Sequence, residues 1–111
     1  MTKTFTTTFL VAATLATSLF AQALTGSYVA EGRNADGSSY SGTVEIADTG
    51  SAVGMTWNVG SQNYAGQGQL EGRVLTVNWG AAAPVIYVVM PDGSLHGTWD
   101  NGRALEKLTR R

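Results

Sequence analysis

Residues 84–99 have the pattern of two β-strands joined by a tight turn, and this unit constrains the fold more than any other stretch. An apolar, mostly β-branched run is followed by Pro91-Asp92-Gly93 and then by an alternating run that ends in Trp99. Proline presets the backbone for a turn, and glycine tolerates the positive φ that a reversal needs. Because a parallel return requires a long crossover, the two strands must pair antiparallel.

Weaker copies of this unit recur along the chain. Alternation is clearest in residues 38–48, where Tyr40, Val44 and Ile46 share one face and polar residues occupy the other. Eight such runs, with short turn signals between them at a spacing of roughly 8–12 residues, are typical of a barrel or a sandwich. We predict an all-β fold, an eight-stranded antiparallel up-and-down barrel whose first and last strands pair and remove both edges. A two-sheet β-sandwich of the same strands is the alternative.

The first 23 residues have the features of a signal peptide. Lys3 precedes an apolar run over residues 9–20, and Ala21-Gln22-Ala23 fits the small-residue rule for cleavage. This run is shorter than the roughly 20 residues that span a membrane. We therefore expect cleavage near Ala23, export to the periplasm or the medium, and a single barrel domain over residues 24–111. The polar residues at most outward strand positions predict that the mature chain does not insert into a membrane.

Composition and motifs argue against several classes of function. Seven basic and eight acidic residues give a formal net charge of −1, which disfavours a nucleic-acid partner. There is no cysteine, and His96 is the single histidine, on the strand face opposite Leu95, Gly97 and Trp99. The motifs of phosphate-binding loops, serine hydrolases and zinc hydrolases do not occur, and the glutamates are scattered over different strands. We expect no catalytic residue, no metal site and no cofactor, and hence a protein that is not an enzyme.

Aromatic residues are the best candidates for a binding site. Most of them fall on the predicted inner face, where they fill a small barrel or, alternatively, line a pocket at one of its mouths. In a pocket, tryptophan and tyrosine rings would stack on a small apolar or aromatic ligand while their NH and OH groups orient it. The candidate ligand-binding residues are Tyr40, Trp57, Tyr64, Trp79, Tyr87 and Trp99.

Residues 85–90 form the only predicted strand that is apolar on both faces. Alternation places Val85, Tyr87 and Val89 on one face, which we expect to point inward. The other face would then be an apolar patch on an otherwise polar exterior, and such patches usually mark contact surfaces. We predict that Ile86, Val88 and Met90 contact a protein partner or a second copy of the chain in a homodimer.

The glycine and aromatic pattern also resembles known proteins. The unit Asp36-Gly37…Tyr40…Gly42 is echoed by Tyr64-Ala65-Gly66 and by Gly97-Thr98-Trp99. With these motifs the chain is similar to a group of small exported bacterial proteins, some of which carry a fibronectin-binding label. More distantly, Gly97-Thr98-Trp99 within an eight-stranded meander resembles avidin-like and lipocalin-like barrels. These resemblances imply an exported barrel, and no site residue is carried over from either group.

Two functions are therefore expected. The first is a non-catalytic interaction module that recognises a protein or matrix partner through an exposed face or strand edge. The second is a barrel that binds a small ligand in an aromatic-lined pocket.

Overall fold

A computed structural model describes residues 24–111 of the chain, and the predicted signal peptide lies outside these residues. The described part contains eight strands. They are β1 (Gly26–Arg33), β2 (Ser39–Asp48), β3 (Val53–Val59), β4 (Gln62–Glu71), β5 (Val74–Asn78), β6 (Val85–Val89), β7 (Leu95–Trp99) and β8 (Ala104–Arg110). No helix within this part is long and apolar enough to cross a membrane.

The strands form one closed antiparallel barrel in sequence order, which confirms the predicted fold. Each strand pairs with the next along the chain, and β1 also pairs with β8, for example through Ala30 and Leu108. Closure leaves no unpaired edge, so the two-sheet sandwich is excluded.

Two turns with the same sequence use the same local hydrogen bonds. In the β1–β2 turn the Asp36 carboxylate accepts bonds from the backbone NH of Ser38 at 2.9 Å and from its hydroxyl at 2.6 Å. Asp92 and Ser94 repeat both distances in the β6–β7 turn. These hydrogen bonds lower the pKa values of both aspartates, because they favour the charged carboxylate.

The interior follows the period-2 alternation of the strands. Inward side chains of every strand except β4 include at least one fully buried residue. The buried apolar core consists of Leu24, Tyr28, Ala30, Val44, Ile46, Val53, Met55, Trp57, Leu75, Val77, Val85, Tyr87, Leu95 and Leu108. On β6, Val85 and Tyr87 point inward as predicted, and Val89 packs against the core.

Glycines occupy positions at which neighbouring strands approach too closely for a side chain. A Cβ atom on Gly68 would overlap the carbonyl oxygen of Thr76 on β5, and one on Gly66 would lie 2.8 Å from the carbonyl oxygen of Asn78. Both glycines lie on β4, so the absence of their side chains allows this strand to approach β5 closely. Glycines at such positions give a small sheet room to close on itself.

The two ends of the barrel differ. The turns at residues 34–38, 60–61, 79–84 and 100–103 surround one end, which we call the mouth. The turns at 49–52, 72–73 and 90–94 surround the other, which we call the closed end. There the Tyr28 hydroxyl donates to the carbonyl of Leu24 at 2.8 Å, and the guanidinium of Arg110 lies 4.9 Å from the centre of the Tyr28 ring. These side chains fill the closed end, so any open cavity must lie at the mouth.

The close approach at Gly68 leads to a prediction about stability. We expect Gly68→Ala to lower the free energy of unfolding by about 1–3 kcal/mol, because the new methyl group must displace the β5 backbone. Gly54→Ala is the matched control, since its Cβ would lie 3.7 Å from the nearest atom, the carbonyl oxygen of Ala47. We expect the control to change stability by no more than about 0.5 kcal/mol. Urea unfolding of both variants measures the difference, and equal stabilities would contradict the proposed role of Gly68.

Candidate functional site

A cavity of about 210 Å³ opens at the mouth of the barrel. Its walls come from β2, β3, β4, β6, β7 and β8, from the turn after β1 and from Trp79, which directly follows β5. Aromatic side chains dominate the lining, which also contains the carboxylate of Glu106 and the amide of Asn34. The lining residues are Asn34, Tyr40, Trp57, Val59, Tyr64, Trp79, Val85, Trp99 and Glu106.

The structure brings five of the six predicted ligand-binding residues together around this cavity. Tyr40, Trp57, Tyr64, Trp79 and Trp99 line it. The sixth, Tyr87, does not reach the cavity surface but lies in the core with no exposed area.

The three tryptophans divide between core and wall. Trp57 is 5% exposed and belongs to the core, whereas Trp79 and Trp99 are half-buried and pack against it. Trp57 therefore combines a core position with a place in the cavity lining, while the other two expose more of their surface at the mouth.

Edge-to-face contacts connect four aromatic rings of the cavity wall in a row. Trp99 lies at its centre, with ring centres 6.1 Å from Tyr40 and 5.9 Å from Trp79. Tyr64 extends the row, 5.8 Å from Trp79, and the three pairs of rings are inclined by 72–89°. Edge-to-face pairs are favourable because the positive edge of one ring meets the negative face of the next. The rings thus hold one another in place without any ligand.

Indole NH groups fix the orientation of the half-buried tryptophans. Trp79 Nε1 donates to the carbonyl of Ala83 at 3.1 Å, which ties the ring to the β5–β6 connection. Trp99 Nε1 donates to the hydroxyl of Tyr40 at 3.0 Å, across the barrel from its own strand.

Glu106 forms the floor of the cavity. It lies on β8, is only 6% exposed, and is one of the residues that line the cavity. Tyr40 donates to Oε1 at 2.9 Å, while Trp57 Nε1 donates to Oε2 at 3.1 Å. The Tyr87 hydroxyl also donates to Oε2. Three neutral donors therefore stabilise one buried carboxylate.

Two glycines give the tyrosines access to this carboxylate. Gly32 on β1 and Gly97 on β7 both pair with Glu106, one on each side of β8. The ring of Tyr40 lies over Gly32, and the ring of Tyr87 lies over Gly97, so that a Cβ at either glycine would collide with the ring. The missing side chains leave room for each ring to cross one strand, which brings both hydroxyls to Glu106.

This environment keeps the tyrosine hydroxyls protonated. The pKa of Tyr87 is raised well above its ordinary value, first by burial and then by the negative charge of Glu106. Burial and the same carboxylate raise the pKa of Tyr40. Both groups therefore remain hydrogen-bond donors well into the alkaline range.

No cationic side chain of residues 24–111 pairs with Glu106. The described ion pair of the mouth joins Arg103 to Asp100 at 2.9 Å within the β7–β8 turn. Arg33, at the mouth end of β1, donates instead to the carbonyl of Gly37 at 3.1 Å. Within the same residues, no group of three or more histidine, cysteine, aspartate or glutamate side chains is placed to hold a metal ion.

The residues predicted to contact a partner lie on the outer wall. Ile86 and Val88 are 41% and 44% exposed, and Val88 pairs with Val74, which is 42% exposed. Met90 follows the end of β6 and is half-buried. We call Val74, Ile86 and Val88 the outer strip.

Sequence reasoning did not select Glu106 as a site residue. Both faces of β8 carry an apolar residue, since Leu105 is outward and Leu108 inward, so alternation alone does not identify the inner face. The hairpin register does contain the signal. Trp99 pairs with Ala104 across the Asn101-Gly102 turn, and this places Glu106 opposite Gly97, on the inner face.

Comparisons with known proteins support the fold. No family model matches the chain, and no curated protein matches it by sequence. A solved structure described as a redesigned β-barrel is similar to it, with a TM-score of 0.58 and 13% sequence identity. The similarity covers 82% of this chain and 94% of that one. At this identity the likeness shows the barrel fold alone.

The raised tyrosine pKa values lead to a prediction for alkaline pH. The chain has four tyrosines, and the pKa values of Tyr28, Tyr40 and Tyr87 lie above the value of about 10 for an unfolded tyrosine. Their contribution to stability is complete below about pH 10 and is lost as the pH rises through the folded-state values. We expect fewer phenolates per folded chain around pH 10, measured by absorbance near 295 nm, than in denaturant, where about half of the four tyrosines are ionised at that pH. Equal numbers of phenolates in the folded and the denatured protein at that pH would contradict this network.

Proposed function

We propose that the barrel is a non-catalytic binding protein that takes a small organic ligand in the mouth cavity. The observation that carries the proposal is a concave, aromatic-lined cavity with a single buried carboxylate at its floor. Sites for small molecules have this composition: mostly apolar and aromatic walls with a few polar groups that set orientation. The packed closed end leaves the mouth as the natural entrance.

The size of the cavity limits the ligand. An apolar cavity of about 150 Å³ accommodates benzene, whereas pockets for drug-sized ligands occupy about 300–1,000 Å³. The mouth cavity, at about 210 Å³, lies between these values. It suits a single ring or a compact branched group better than an extended chain or a folded polypeptide.

The walls are organised before any ligand enters. Among residues 24–111, no buried side-chain nitrogen or oxygen lacks a hydrogen-bond partner. Trp79 and Trp99 are held by both ring contacts and indole hydrogen bonds. Rigid walls lose little conformational entropy on binding, which favours affinity for a small ligand.

Binding without catalysis agrees with the placement of the titratable groups. His96 points outward from β7, away from the cavity. Both oxygens of Glu106 are already engaged by donors from the walls. The predicted export signal, together with the resemblance to small exported bacterial proteins, supports a site of action in the periplasm or outside the cell.

The ligand-binding proposal predicts a change in tryptophan fluorescence. We expect a saturable shift when the protein is titrated with members of a library of small metabolites, because all three tryptophans line the cavity. Trp79→Ala should weaken binding of a ligand found in this way at least about tenfold, since one aromatic wall is lost. Ile86→Ala, which shortens an exposed apolar side chain on the outer wall, is the control and should bind normally. A folded protein that shows no shift with any compound would contradict the proposal.

The outer strip supports a second function, contact between two copies of the chain. Val74 and Val88 are direct cross-strand neighbours, and Ile86 adjoins them on β6. The flanking outward residues are polar, for example Thr76 on β5 and His96 on β7. We propose that this strip forms the centre of a homodimer, with a protein or matrix partner as the alternative occupant.

Association can be tested directly. We expect the wild type to sediment as a dimer at high concentration, and Ile86→Thr combined with Val88→Lys to be monomeric with an unchanged β-sheet circular dichroism spectrum. Val29→Thr is the control, because Val29 is 37% exposed on β1, away from the strip. A monomeric wild type whose double variant unfolds would show that the strip is needed for the fold rather than for association.

A further inference from the structure

We infer that the ligand of the mouth cavity is a small organic cation, of the methylated ammonium type. The inference rests on the proposed ligand-binding function and specifies its chemistry. Three features carry it: the charge of the floor, the aromatic nature of the walls, and the absence of an internal counter-ion among the described residues.

The floor carries an uncompensated negative charge. Glu106 is almost fully buried, and its hydrogen-bond donors are two phenols and one indole, all of them neutral. Hydrogen bonds stabilise the carboxylate but leave its net charge in place. A buried charge without a counter-ion attracts a cation strongly, because the surrounding dielectric is low.

The arginines nearest the mouth are already engaged. Arg103 is paired with Asp100 in the β7–β8 turn, and Arg33 is bonded to a backbone carbonyl of the β1–β2 turn. No ion pair within residues 24–111 therefore supplies a positive charge to Glu106.

The walls complement a cation as well. Trp57, Trp79 and Trp99 line the cavity together with Tyr40 and Tyr64. The faces of aromatic rings carry partial negative charge, and tryptophan gives the strongest cation–π attraction. The mutually inclined rings surround the space from several sides, which suits a roughly spherical cation more than a flat one.

At the other end of the molecule, a cation–π contact forms within the chain itself. At the closed end Arg110 lies over the ring of Tyr28 and donates to its hydroxyl at 2.9 Å. There the chain itself supplies the cation. At the mouth the aromatic rings and the carboxylate of Glu106 lie together, and no side chain of residues 24–111 forms an ion pair with that carboxylate.

Methylation of the ammonium group follows from the hydrogen bonds. Glu106 Oε2 already accepts from Tyr87 and Trp57, and Oε1 accepts from Tyr40. A primary ammonium needs several acceptors to replace its water, and apolar rings provide none. A quaternary ammonium has no NH group to satisfy, so it exchanges water for ring faces at low cost. Its compact methyl groups also suit a cavity of about 210 Å³.

A neutral apolar ligand is the main competitor. It would stack on the same rings, but it would also exclude water from the carboxylate without offering a charge in return. An anionic ligand would be repelled by Glu106. Two ligands that have the same shape but differ in charge therefore distinguish a site for a cation from a site for a neutral molecule.

The test compares two probes of nearly equal shape, choline and the neutral 3,3-dimethylbutan-1-ol, by tryptophan fluorescence and calorimetry at low salt. We expect choline to bind the wild type at least about tenfold more tightly than the alcohol. Glu106→Gln should abolish most of this preference by weakening the binding of choline much more than that of the alcohol. Glu31→Gln, on the outer face of β1, is the matched control and should retain the preference.

The outcomes separate a failure of the cation inference from a failure of the proposed ligand-binding function. Equal binding of the two probes by the wild type, which needs no variant and hence no assumption about its folding, overturns the inference and leaves the proposed ligand-binding function intact. The same holds if neither probe binds but a library compound does. If no compound binds, the proposed function fails as well. Retention of the choline preference in a folded Glu106→Gln protein would show that the carboxylate is not its source.

Discussion

The carboxylate of Glu106 is the interaction around which the interior of this barrel is arranged. Its donors come from β2, β3 and β6, while Glu106 itself lies on β8, so four strands meet at one side chain. A buried charge is tolerated only when its oxygens are hydrogen-bonded, which makes the three donors mutually dependent. The network separates the apolar core below from the cavity above. It thereby determines where packing ends and where binding space begins.

Closure of the barrel makes this arrangement geometrically feasible. Pairing of β1 with β8 brings Gly32 beside Glu106, and pairing of β7 with β8 brings Gly97 to its other side. An eight-stranded barrel is just wide enough to be filled by side chains, so large rings need space taken from neighbouring positions. The two glycines provide that space. Aromatic rings over glycines in adjacent strands are a known device for stabilising such positions in sheets.

The two ends of the barrel differ in the contacts that their aromatic and charged side chains make. At the closed end an arginine and a tyrosine of the same chain satisfy each other, and the core is sealed by Leu24. At the mouth the rings meet one another edge to face, and Glu106 lines the cavity with no ion pair to a cationic side chain of residues 24–111. The outer strip is a separate feature of the wall. Ligand binding inside and chain association outside would therefore be independent properties of one small domain.

Alternation of apolar and polar residues, together with the Asp-Gly and Asn-Gly turns, was sufficient to predict eight strands and their antiparallel order, because strand faces and tight turns are local properties. It also placed the aromatic residues inside and Ile86 and Val88 outside. What the tertiary structure decided was which inward residues meet. Five aromatic residues reached one cavity, whereas Tyr87 was placed in the core beneath it. Glu106 became the floor although both faces of its strand carry an apolar residue. Those outcomes depend on barrel register and closure, which join residues distant in the chain. The inward placement of Glu106 is the exception, because the local register of the β7–β8 hairpin already contains it.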